Sequence, residues 1–271
     1  MKIKWTLFPY LSWMSIFVIV PLILVIIFAF TNPNGGFTFS NILQVSKYST
    51  IFLRSVFLGM ISTVICLIIG YPMAYFISKI RAKYQNVFIM LLMIPMWTSF
   101  LLRTYAWMTI LEYNGLLNRF LFFMGFEKIN MINTHGAIVL GMVYNFLPYM
   151  ILPIYTALTK IDVKVIEAAQ DLGANHLKVF SKVIIPLSIP GIVSGFTMVF
   201  VPSVSTFIIS KMLGGGSIFV IGDLIEMQFL GNTYNPYLGS AISLVLMVII
   251  MICMGIMNQL DIDSGDESIV I

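Results

Sequence analysis

Apolar residues in this chain come in long blocks that polar positions barely interrupt, and the blocks alternate with short segments that hold most of the charge. Crossing the hydrocarbon core of a bilayer, about 30 Å, takes roughly 20 apolar residues in a helix. Six blocks meet that length, at about 7–31, 55–78, 87–111, 136–158, 188–210 and 238–258. The pattern predicts an all-α polytopic membrane protein with six transmembrane helices. The first block follows Met1-Lys2-Ile3-Lys4, which imitates the basic start of a signal peptide. Its apolar run is too long for a signal peptide and no small-residue cleavage site follows, so an uncleaved helix is expected. Prolines fall in nearly every block (Pro21, Pro72, Pro95, Pro148, Pro153, Pro190 and Pro202). A bundle tolerates them where neighbouring helices, hydroxyls or water satisfy the freed carbonyls. Any single kink serves packing as readily as function, but together they favour a substrate path over a passive anchor.

Composition agrees. Of 271 residues, 59% are hydrophobic and 10% charged, against about 25% charged in ordinary soluble domains. The mean hydropathy is +0.99. A soluble domain of this length could not hide so much apolar surface, which excludes a soluble enzyme, a disordered chain and a nucleic-acid binder. The net charge of +4 reflects basic loops. With the N-terminus inside, Lys2, Lys4, Lys79, Arg81, Lys83, Lys160, Lys164, Lys178 and Lys182 lie on the inner side. Lys47, Arg54, Arg119, Lys128 and Lys211 lie outside. That bias predicts both termini on the cytoplasmic side. The two cysteines, Cys66 and Cys253, sit in apolar runs without metal-ligand neighbours and read as small core residues.

Residues 160–182 break the scarcity of charge with Lys160, Asp162, Lys164, Glu167, Asp171, Lys178 and Lys182. Asp162 is a plausible N-cap and Gly173 a stop signal, predicting a short helix between them. Val165, Ala168, Ala169 and Leu172 form a small apolar stripe on it. A second helical segment follows, with Leu177, Phe180, Val183 and Ile184 on one side, and Pro186 is expected to interrupt it. A two-helix loop with an exposed stripe suits a protein partner or, equally on physical grounds, the lipid interface.

The spacing Glu167-Ala168-Ala169, then Gly173, then Val183-Ile184-Ile185-Pro186 resembles the EAA loop of permeases in ATP-binding-cassette (ABC) importers. Val183 and Ile185 depart mildly from the family's isoleucine and leucine. The resemblance implies a type I ABC importer permease fold. It also implies that Glu167, Ala168, Ala169, Gly173, Val183, Ile185 and Pro186 couple to an ATPase. Further segments are similar to the B-type permeases of spermidine/putrescine importers: Leu67-Ile68-Ile69-Gly70-Tyr71-Pro72, Ile94-Pro95-Met96-Trp97-Thr98, Leu102-Arg103-Thr104-Tyr105, Asn145-Phe146-Leu147-Pro148-Tyr149 and Met212-Leu213-Gly214-Gly215. On that basis residues 1–53 form an N-terminal helix and first outer loop. Residues 54–256 form the permease domain, with its EAA loop at 160–186, and 257–271 an acidic cytoplasmic tail. The resemblance implies location in the cytoplasmic (inner) membrane and polyamine import. Its implied partners are a sister permease in a heterodimer, two copies of a cytoplasmic ATPase subunit and an extracellular or periplasmic polyamine-binding protein, all beside membrane lipid.

No G-x-x-x-x-G-K-[ST] occurs in the sequence, so the chain carries no phosphate-cradling loop. A permease without bound cofactor is expected, with ATP used by the partner. Counted along a helix, Trp97 falls about 15 Å from the inner side, and Tyr144 and Asn145 about 12–14 Å from the outer side. An indole, a phenol and an amide near the midplane suit an alkylammonium ion, or they simply pack between helices. Arg103 is expected about 24 Å up the same helix as Trp97, near the outer interface. Asp223 and Glu226, three apart, share a helical face and form either a cation-attracting mouth or a solvated loop. Lys211 nearby weakens such a field. The hydroxyls of Ser194, Thr197, Ser203, Ser205 and Thr206 are expected to bond backbone near Pro202. Rival readings are the same machine for a sugar, an oxyanion or iron, an ion-coupled secondary transporter, and an intramembrane enzyme. The last two call for intramembrane acids, histidines or clustered catalytic groups, of which the blocks contain essentially none.

Overall fold

The computed structural model describes residues 3–231 and 233–266. Among the described residues, five helices are long and apolar enough to cross a membrane, and a bent pair makes a sixth if it is taken as one span. They are α1 (Pro9–Ala29), α2 (Ser40–Lys79), the pair α3 (Ala82–Trp97) and α4 (Phe100–Leu111), α6 (His135–Thr159), α8 (His176–Ser205) and α11, apolar over Pro236–Met257. Short helices link them: α5 (Leu116–Phe123), α7 (Val163–Asp171), α9 (Ile208–Leu213) and α10 (Ile221–Leu230). Of the acidic tail, the side chains of Asp261, Asp263 and Asp266, and all of Glu267, lie outside the described residues, as do Met1 and Lys2.

Helices α2, α6 and α8 pack as the central layer, around Leu58, Cys66, Met142, Met150, Ile154 and Val199. Cys66 is fully buried, as expected of a core residue, and Cys253 packs at the edge of a second cluster. Close approach of α8 to α6 rests on Gly191 and Gly195, one turn apart. A Cβ at Gly191 would come within 2.6 Å of Ala157 Cβ, and one at Gly195 within 2.9 Å of Met150 Sδ. Small residues at this spacing let membrane helices meet backbone to backbone. The second cluster joins the end of α1 to α2, α8, α10 and α11 through Ala29, Phe52, Phe200, Val204, Leu224 and Ile242.

Two expected spans change shape. The block at 87–111 is not one helix: the chain turns by 85° between α3 and α4. Pro95 withholds one helical N–H, and Thr98 and Ser99 then adopt extended ψ values of 156° and 130°. The Thr98 hydroxyl caps the break by donating to Pro95 O at 2.7 Å. The opposite correction applies at Pro186, which does not interrupt its helix. A π-turn over Phe180–Ile184 lets Ile185 N–H reach Phe180 O, five residues back. Proline then follows just where regular bonding is already displaced, and the helix continues to Ser205.

Candidate functional site

The 160–186 loop is built from local signals. Asp162 Oδ1 accepts from Lys164 N–H at 3.0 Å and starts α7. At its end Gly173 takes φ +82°, Gly173 N–H bonds to Gln170 O and Ala174 N–H to Ala169 O. This is a Schellman turn, and only glycine enters that φ region without strain. Asn175 Oδ1 then accepts from Lys178 N–H at 2.9 Å to start α8. That second cap escaped the sequence reading, although Asn before a helical run is its usual signal.

The apolar stripe divides differently from expectation. Ile166 and Ala169 turn inward against the core, and Val179 and Ile184 bury beside them. Val165, Ala168 and Leu172 point out. Leu172 is 90% exposed and Leu177 78%. Glu167 is exposed and forms no ion pair among the described residues. Val183 packs on the core, Ile185 is half-buried and Pro186 exposed. Phe180 fixes the loop to α2 through edge contacts with Tyr75 and Tyr71, at centroid distances of 5.2 and 6.0 Å. Gln85 adds a clamp that sequence reading missed. Its amide donates to Ser78 O and Ile80 O, and Tyr155 Oη donates to its oxygen at 3.0 Å. Its only signal is a polar side chain one turn into an apolar helix.

The 85° turn also makes a cavity of about 630 Å³ between α2, α3, α4 and α6. Met73, Phe76, Leu91, Pro95, Leu147 and Pro148 give it apolar walls; Tyr144 and Arg103 also line it. Tyr144 meets Trp107 edge-on at 5.4 Å. It does not meet Trp97, which is 73% exposed at the end of α3. Helix α3 starts at Ala82, so Trp97 lies about 22 Å along it, further than expected. Asn145 points into the core, its amide donating to Gly141 O and its Oδ1 unpartnered among the described residues. Contrary to expectation, Arg103 does not continue the helix of Trp97: after the bend it lies on the cavity wall with Tyr144, Leu147 and Pro148.

At the opposite end of the bundle from the loop, the two acids of α10 are already engaged. Asp223 is 6% exposed, so it is no solvated loop residue. Its Oδ2 accepts from Val220 N–H at 2.9 Å, reaching back to cap its own helix. Burial pushes this carboxyl up from the usual carboxylate range, and the Val220 bond pulls it back. Ser55 Oγ accepts from the next amide, Ile221 N–H, and holds α10 to α2. Glu226 takes both oxygens to Lys211 Nζ, at 2.8 and 3.0 Å. Along α8, Thr197 and Ser205 bond backbone as expected, whereas Ser203 Oγ is buried without a partner among the described residues.

Residues 67–261 match the family described as binding-protein-dependent transport system inner membrane component. This chain belongs to that family. It is 37% identical over 248 residues to the spermidine/putrescine transport system permease protein PotB of Haemophilus influenzae, covering 88% of this chain and 86% of that protein. Identity to PotB of Escherichia coli K12 is 34%, over 88% and 90% of the two chains. Among solved structures, a chain of a bacterial ABC transporter involved in the import of the acidic polysaccharide alginate superposes with a TM-score of 0.80. It is 17% identical and covers 96% of both chains. The methionine ABC transporter MetNI follows at 0.60, with 15% identity, over 80% of this chain and 95% of that one. The fold is therefore that of a type I ABC importer permease, and the protein is a multi-pass inner-membrane transport subunit.

Proposed function

We propose that this chain is a permease subunit of an ABC importer that carries polyamines, spermidine or putrescine, across the cell membrane. The observation that carries the substrate is the identity of 34–37% to PotB over 88% of the chain. A sister permease forms the other half of a heterodimeric path. Two ATPase copies dock on the cytoplasmic side, with both termini on that side, and a polyamine-binding protein loads the outer side. ATP is bound and hydrolysed by the ATPase subunits.

The exposed face of the 160–186 loop suits the ATPase contact. Leu172 and Leu177 offer apolar surface, Glu167 offers a charge and Ala168 permits close approach. Closure of the ATPases displaces this loop and shifts the bundle between outward- and inward-open states. The path is proposed along the cavity wall at Tyr144, with Trp97 at its rim; an aromatic face attracts an alkylammonium ion.

The test is uptake of radiolabelled spermidine and putrescine by vesicles holding the co-purified assembly, with and without ATP. ATP-dependent accumulation of either is expected. An assembly that hydrolyses ATP but accumulates neither points to another solute, such as a sugar, an oxyanion or iron.

A further inference from the structure

Among the described residues, Arg103 is the only charged side chain on the wall of the 630 Å³ cavity. Its Nε is buried without an acceptor among the described residues, and the guanidinium carbon lies 5.9 Å from the centre of the Phe100 ring. A guanidinium keeps its charge in any protein setting. At membrane depth such a charge is costly unless paired. The helix that carries Arg103 sets its level: Phe100, before it, stacks on Phe146 at 6.4 Å, and Trp107, after it, meets Tyr144 at 5.4 Å, eleven and nine residues into α6. That is about 14–17 Å along α6, near the middle of a core of about 30 Å. A headgroup phosphate at the membrane surface is out of reach from there.

No membrane-spanning helix of this chain supplies the counter-charge. The chain's first acidic residue is Glu112, after α4 has ended, and α6, α8 and the apolar part of α11 contain no Asp or Glu. A second copy of the chain would bring the same acid-free helices. A cation left bare on this wall would also repel an incoming polyamine. We propose that Arg103 is met across the permease–permease interface by a carboxylate from a sister permease of different sequence, which neutralises the path wall and makes the pair obligatorily heteromeric. This rests on the importer reading above.

The test uses the complete transporter, purified with its sister permease and ATPase. In the Arg103→Lys variant a carbodiimide activates a neighbouring carboxylate. The lysine amine displaces it as the urea, and an amide bond joins the two chains. A permease–permease product is expected with Arg103→Lys and none with Arg103→Met, and peptide mass spectrometry then names the acid. Arg103→Met should lower uptake at least tenfold. Arg103→Glu should abolish it, and changing the named acid to Lys should restore it. An intact transporter that gives no product, with Arg103→Met retaining uptake within twofold, overturns the inference. So does an anionic lipid that co-purifies with the native assembly and is lost in Arg103→Met. Absence of any sister permease from an active preparation overturns the heteromeric reading itself and this inference with it.

Discussion

Two acid-bearing helices sit at opposite ends of the bundle, α7 with Glu167 and α10 with Asp223 and Glu226. By sequence they look alike: short, amphipathic, with acids on a helical face. The structure separates them. On α10 Asp223 is buried and caps its own helix, and Glu226 is held by Lys211. On α7 the cap is supplied by Asp162, outside the helix, which leaves Glu167 exposed and unpaired among the described residues. One helix uses its acids to stay in place, while the other is held by its caps and presents both of its acids, Glu167 and Asp171, outward. A charge is available for a partner only where local architecture has not already consumed it.

Three substitutions sharpen that contrast. The largest effect is expected at the Schellman turn. A Cβ at Gly173 would meet no atom within 4 Å, so Gly173→Val acts chiefly through backbone strain at φ +82°, on the order of 1–2 kcal/mol. The turn should re-form differently, with substrate-stimulated ATPase activity and uptake both falling at least tenfold while membrane insertion stays normal. Full retention of both would refute the coupling role. Next comes Asp223→Ala, which removes a buried cap and should lower thermal stability by about 0.5–2 kcal/mol. Its uptake KM should stay unchanged; a raised KM with unaltered melting would return Asp223 to the substrate path. Smallest is Glu226→Gln. The pair it breaks is mostly solvent-facing on the lysine side and should contribute less than about 1 kcal/mol. A difference in melting between low and high salt, present in the parent and absent in the variant, would register it.

What the sequence made legible was local or strongly periodic. Helices α1, α6 and the apolar part of α11 fall within two or three residues of the expected spans, because apolar length alone decides them. Asp162 and Gly173 were legible because capping acts over three or four residues. The pairing of Tyr144 with Trp107 was not, because it depends on an 85° turn. That turn follows from Pro95 together with the extended backbone at Thr98 and Ser99, and apolar periodicity runs straight through all three. Arg103 moved with it. Projecting depth along one unbroken helix placed it near the outer interface, whereas after the bend it lies on the cavity wall. The inward turn of Ile166 and Ala169 was likewise hidden, since it is set by which face meets α2 and α6.

The π-turn at Phe180–Ile184 has a mechanical consequence. By absorbing Pro186 it joins the exposed loop and the membrane span into one continuous helix, His176–Ser205, 30 residues and about 45 Å long. In the proposed coupling, Gly173 at its foot is the pivot. A tilt of roughly ten degrees there swings the far tip, beside Val204, by about 8 Å. In that coupling a hinge at Pro186 would dissipate the stroke at the membrane surface, whereas a helix that runs on through the turn carries it further.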